Sequence, residues 1–273
     1  MTRRIRFSLD PGAPSTSPDG APGVRYGFLD GDTINETDSL FSTNRGTAHH
    51  LSHMRLLPPC WPSKIVCVGR NYREHAKELG NEVPSEPLIF LKPPSSLLAS
   101  GESIVYPKLS HRVDYEGELG VIIGRKARKV PAADAGNYIF GYTCVNDVTA
   151  RDLQRKDGQW TRGKGFDTFC PVGPWIVPAS EVVFEALRVR TIVDGQLRQD
   201  GAVTDMIFPV ADIIAYVTEF MTLEPGDLIA TGTPMGVGPL DPGSIVQVEI
   251  DGVGTLENSV VPDEPAGVTA RGQ

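Results

Sequence analysis

No run of apolar residues in this 273-residue chain is long enough to cross a bilayer, since a spanning helix needs about 20 of them in succession. The opening Met1-Thr2-Arg3-Arg4 leads into alternating Ile5, Phe7 and Leu9, not into the continuous apolar core of a secretory leader. Both absences predict a cytoplasmic protein with no membrane partner. Basic runs are missing too. Lys and Arg number 26 against 34 Asp and Glu, a net charge of -8 with a pI near 5.2, so no phosphate-tracking surface and no nucleic-acid partner are expected. Cysteine is scarce: Cys60, Cys67, Cys144 and Cys170 show no Cys-x-x-Cys spacing. That speaks against a zinc site or disulfide framework and predicts reduced, buried thiols, with core packing preferred over a nucleophilic role for Cys170. The glycine-rich Thr231-Gly232-Thr233-Pro234-Met235-Gly236-Val237-Gly238 lacks the Gly-Lys-Ser/Thr ending of a phosphate loop, and Pro239 with a strand-like segment follows it where that loop would open a helix. Its backbone donors can still meet a carboxylate.

What is present is ordinary for a globular protein, 40% hydrophobic and 22% charged, and long enough for a full core. The most telling stretch is Asp114-Tyr115-Glu116-Gly117-Glu118-Leu119-Gly120, running into Val121-Ile122-Ile123. The β-branched run predicts a strand, where residues i and i+2 share a face, so Glu116 and Glu118 project together with Asp114 in line. Adjacent carboxylates repel unless a cation lies between them, and a hard divalent ion fits oxygen ligands. A solvated sheet face has the same alternation. The stretch alone leaves both readings open.

In chain order, segments Arg4 to Leu9 and Val24 to Leu29 flank the Pro- and Gly-rich loop Pro11 to Gly23 and predict a small N-terminal unit of paired strands over residues 1–60. His49, His50 and His53 read as a surface cluster. Three prolines in Leu57-Pro58-Pro59-Cys60-Trp61-Pro62 mark the boundary with a larger domain over 61–262, and a disordered tail is expected over 263–273. Arg73 to Leu79 reads as a helix stopped by Gly80, placing His75 and Glu78 on one face as a catalytic or merely a surface pair. Lys92 ends a short strand. From Asp147, helical spacing predicts Asp147, Arg151 and Gln154 on one side; Lys164 stands between glycines. Phe208 to Met221 predicts a helix that buries Ile213, Ile214, Val217 and Phe220.

Gly69-Arg70-Asn71-Tyr72, Asp114 to Glu118, Asn146 to Asp152, Lys164-Gly165-Phe166-Asp167 and Thr231-Gly232-Thr233-Pro234, in this order, resemble the fumarylacetoacetate hydrolase family over residues 61 to 260. The resemblance implies an α+β, mainly β fold, a mixed β-roll or sandwich behind a small N-terminal domain, and a homodimer. It implies Mg²⁺ or Mn²⁺, with Ca²⁺ as a crystallisation substitute, on Glu116, Glu118 and Asp147. His75 and Glu78 would form the catalytic dyad of a mobile lid, as in the acylpyruvate hydrolase and oxaloacetate decarboxylase branch. Lys164 would bind the substrate carboxylate or enol oxygen, Arg151 and Gln154 would support the site, Thr233 would close it, and Arg70 and Lys92 would contact anions. The expected activity is carbon-carbon cleavage in a small 2-oxo or 2,4-dioxo carboxylate. The alternatives are decarboxylation or isomerisation of the 2-hydroxyhepta-2,4-diene-1,7-dioate type in aromatic catabolism, and a metal-stabilised binding protein without turnover.

Overall fold

Strands buried on both faces read as short continuous apolar runs, and Ile65–Gly69, Gly117–Ile123, Ile139–Asn146 and Leu228–Ala230 are of this kind. The computed structural model describes residues 1–78, 80 and 82–263. Among these residues the four strands lie in a twelve-stranded sheet, in the order Ile139–Asn146, Gly117–Ile123, Leu228–Ala230, Ile65–Gly69, with Leu88–Lys92 at its edge. A five-stranded sheet built on Arg188–Val193 and Ile245–Ile250 faces it across the largest apolar cluster, which holds Leu119, Val121, Val189 and Val248. A small third sheet joins Thr149–Ala150, Val113–Tyr115 and Gly238–Leu240. The fold is α+β and mainly β, as the motifs imply.

Residues 3–57 form antiparallel strands over their own cluster of Ile5, Phe7, Leu29 and Ile34. Their sheet is continuous with the large one, because Arg3–Ser8 pairs with Cys170–Pro178 at Arg4 and Ile176. The separate cluster supports a division near Leu57–Pro62, which we retain as a proposal. The expected tail lies, from residue 264 on, outside the described residues.

Four helices carry the argument: α1 (Arg73–Glu78), α2 (Arg151–Asp157), α3 (Thr161–Lys164) and α4 (Val210–Phe220). Ile213, Ile214 and Val217 of α4 are fully buried, as periodicity predicts. Phe220 is 55% exposed, contrary to expectation. It lies in the last helical residue and stacks edge-on against Tyr216, 5.7 Å between centroids, so its partner is its own i−4 neighbour and not the core.

Two local departures from the sequence reading shape the site. The acidic stretch is two strands broken at Glu116, with Val113–Tyr115 in the small sheet and Gly117–Ile123 in the large one. At the break, Glu116 N–H donates to Asn146 Oδ1 and Glu116 C=O accepts from Asp147 N–H. Asp114 therefore does not line up with the two glutamates. Likewise, α2 begins at Arg151 and not at Asp147, because Thr149–Ala150 pairs with Val113–Tyr115 and the Thr149 hydroxyl donates to Asp147 C=O.

Candidate active site

The strand break and the turn after Asn146 bring Glu116, Glu118 and Asp147 together. All three are buried, and one carboxylate oxygen from each lies within 4.8 Å of the others. Gly117, between the glutamates, has no room for a side chain: a Cβ there would meet Thr191 Oγ1 at 2.1 Å. Lys164, at the end of α3, donates from Nζ to Glu116 Oε2 at 2.8 Å and to Asp147 Oδ2 at 2.5 Å. Arg151 donates to Asp114, Glu116 and Gln154. Lys92 is fully buried behind the cluster and donates to Asp147 Oδ1 at 2.6 Å and to Val148 C=O.

These contacts divide the charge unevenly. Burial raises the Glu116 carboxyl, but Lys164 and Arg151 outweigh it and hold the group well below its ordinary range. The Glu118 carboxyl is pushed far above its ordinary value by burial, then by Asp147 and Glu116; the one hydrogen bond to that carboxyl among the described residues is from Gly232 N–H at 2.8 Å. Burial lowers and the Asp147 and Glu116 carboxylates raise the Lys164 ammonium, with a net upward shift that keeps it charged. A donor set of three desolvated carboxylates, one lacking a cation of its own, fits a hard divalent ion.

His75 on α1 is buried, and its Nδ1 lies 3.3 Å from Glu78 Oε2. Glu78 also accepts from Gly236 N–H at 3.0 Å. A cavity of about 320 Å³ opens onto the cluster, with His75, Lys164, Arg151, Gln154, Arg70 and Thr233 on its walls. Two expected site residues stand behind it: Glu78 behind His75, and Lys92 behind Asp147, facing a neighbouring cavity of about 900 Å³. The Thr233 hydroxyl donates to Gly117 C=O and accepts from Gln199, so it fastens the loop to the acidic strand.

Sequence reasoning missed an aromatic wall. Phe90 and Trp160 meet edge-on, 5.1 Å between centroids, with Lys164 Nζ 5.0 Å above Phe90 and the Arg70 guanidinium 5.9 Å above Trp160. Gly69 makes room for it, since a Cβ there would lie 2.7 Å from the indole. Arg70 itself takes a left-handed backbone, φ 57°, a strain that clusters at functional sites. A lone Trp in the polar run after α2 was the available signal. The cysteines are buried and free and do not line the cavity, with burial pushing Cys170 to about 12. His49 pairs with Glu36 at 2.8 Å, an acidic neighbour supplied by the adjacent strand.

Fold and site together define an enzyme of mainly β architecture with a buried carboxylate cluster suited to a divalent metal. Residues 64–261 match the family described as fumarylacetoacetate (FAA) hydrolase C-terminal, and the chain belongs to that divalent-metal-dependent family. It is 43% identical over 225 residues to the oxaloacetate tautomerase YisK of Bacillus subtilis, covering 78% of this chain and 75% of that one. The crystal structure of a 2-hydroxyhepta-2,4-diene-1,7-dioate isomerase from Mycobacterium marinum has a TM-score of 0.84 at 42% identity, over 97% of this chain and 100% of that one. A fumarylpyruvate hydrolase from Pseudomonas aeruginosa, in complex with Mn²⁺ and pyruvate, has a TM-score of 0.70 at 37% identity, over 74% and 91%.

Proposed function

We propose that this enzyme moves a proton at the carbon beside the carbonyl of a small 2-oxo or 2,4-dioxo carboxylate, passing through an enolate. The carrying observation is the convergence on one cavity of three buried carboxylates, the Lys164 ammonium and an imidazole backed by a carboxylate. Glu116, Glu118 and Asp147 would hold Mg²⁺ or Mn²⁺, which when bound supplies Lewis-acid polarisation of the 2-oxo carbonyl. His75, with Nδ1 turned to Glu78, leaves Nε2 as the base that takes the proton, and Glu78 stabilises the imidazolium so formed. Lys164 presents its ammonium to the enolate oxygen. Arg151 and Gln154 shape the wall, Thr233 holds the loop beside it, Arg70 meets an anionic substrate group at the cavity mouth, and Lys92 acts through Asp147.

Return of the proton to oxygen gives the enol; return to a different carbon gives an isomer. This reading stands first because the tautomerase and the isomerase are similar over most of this chain. Hydrolysis is the second, favoured by the Pseudomonas enzyme. There His75 takes its proton from water, hydroxide adds to the distal carbonyl, and the carbon-carbon bond breaks with its electrons entering the enolate, which His75 reprotonates at carbon. Loss of a carboxyl as carbon dioxide would leave an enolate of the same kind. The natural setting we propose is a cytoplasmic homodimer acting on anionic oxo acids, including those of aromatic catabolism. The test is a panel of oxaloacetate, acylpyruvates, fumarylpyruvate and the heptadienedioate with Mg²⁺ or Mn²⁺. Turnover of none, with metal bound, would leave the non-catalytic alternative standing.

A further inference from the structure

The loop Thr231–Gly238 offers backbone donors, as its composition suggests, but the two described above go to the protein's own carboxylates. At one end, Gly232 N–H donates to Glu118 Oε2 in the metal cluster. Four residues on, Gly236 N–H donates to Glu78, the partner of His75. The same short piece of backbone thus touches both halves of the site. What holds it still is therefore what fixes the distance between cluster and base.

Two side chains do so. The buried Tyr115, one residue before the ligand Glu116, donates from its hydroxyl to Gly236 C=O at 2.9 Å. Gln199, from the five-stranded sheet and 1% exposed, donates to Thr233 Oγ1 and Pro234 C=O and accepts from Gly117 N–H. Gly236 has φ 98°, and a Cβ there would meet Arg198 C=O at 2.1 Å, so the backbone is seated hard against the strand that carries Gln199. Neither Tyr115 nor Gln199 lines the cavity, and Gln199 meets its wall only through Thr233.

We propose that Tyr115 and Gln199 are positioning residues, which lock the Thr231–Gly238 loop so that Gly236 N–H fixes Glu78, and through it His75, at a set distance from the carboxylate cluster. Tyr115 acts through Gly236 and Glu78, not on substrate. The inference rests on the proton-transfer reading for its kinetic consequence, though its structural part can be read without any substrate.

Tyr115→Phe removes one hydroxyl and leaves the ring in place. With the Mg²⁺ form of the full chain, amide exchange over residues 232–238 should quicken in Tyr115→Phe while Mg²⁺ affinity stays within about two-fold of wild type. On whichever panel substrate is turned over, kcat should fall on the order of ten-fold with KM little changed, as misplacement of a catalytic group does. In a Glu78→Ala background, which removes the oxygen that Gly236 N–H holds, Tyr115→Phe should cost nothing further, because the two act in series. Equal exchange in both proteins, or full additivity of the two kcat losses, would overturn the proposal. Quickened exchange with no substrate turned over would uphold the locking role and count against the proposed function instead.

Discussion

At the scale of single residues, His75 and Glu118 make the sharpest demands. His75→Ala should lower turnover by roughly 10² or more, the usual span for removing a general base. Glu78→Gln should follow it more weakly, since Glu78 orients the imidazole from behind. Both comparisons need matched metal content; unchanged kcat in His75→Ala would remove the base assignment. Glu118 sets a pH dependence whose sign follows from its raised carboxyl. A folded-state value above the ordinary 4.5 means that its contribution to the stability of the metal-free protein is fully present below the ordinary value and is lost as pH rises through the folded one. A metal bound by the cluster would replace that proton. Binding of Mg²⁺ should release protons and strengthen as pH rises, measurable by titration calorimetry in buffers of different ionisation enthalpy. No proton release would contradict the Glu118 environment described above. Glu116→Gln should weaken metal binding directly.

Among the elements, α4 separates packing from exposure. Ile214→Ala should cost about 2–5 kcal/mol, the usual range for emptying a packed core position. Phe220→Lys, at a half-exposed helix C-terminus where the dipole accepts a cation, should cost no more than about 1 kcal/mol, as denaturant melts will tell. Periodicity placed α4 and most strands because apolar spacing is a local property. It could not separate Phe220 from Val217, since a helix's last turn keeps its phase after leaving the core. The same limit explains Asp114 and Asp147. Alternation and helical spacing assume an unbroken element, and both elements break where long-range partners, Asn146 for Glu116 and Val113–Tyr115 for Thr149–Ala150, capture the backbone. The cluster's members were legible as motifs; the work of Trp160, Tyr115 and Gln199 was not, because it depends on contacts 34 to 121 residues away in sequence or on a space left by Gly69. Gly69→Ala should therefore displace the Trp160 indole and change its fluorescence, with activity falling and the fold retained.

For the molecule as a whole, the carboxylate cluster ties the strand break, the turn after Asn146 and the end of α3 into one unit, so occupancy should be felt as global stability. Stripping metal with a chelator should lower the melting temperature and abolish turnover; a metal that binds only the folded state at a hundred times its Kd contributes about 2.7 kcal/mol. An unchanged melting temperature after verified metal loss would deny that link. The four thiols record the same event in another currency. Each has a relative exposure of 0%, three lie in the cluster beneath the large sheet and Cys144 in the main core, so an alkylating reagent meets them only when the chain opens. Their labelling is a clock of opening events built into the native sequence. It should run fast in the metal-free protein and slowly once Mg²⁺ or Mn²⁺ is added, reporting on the metal centre without any substrate at all.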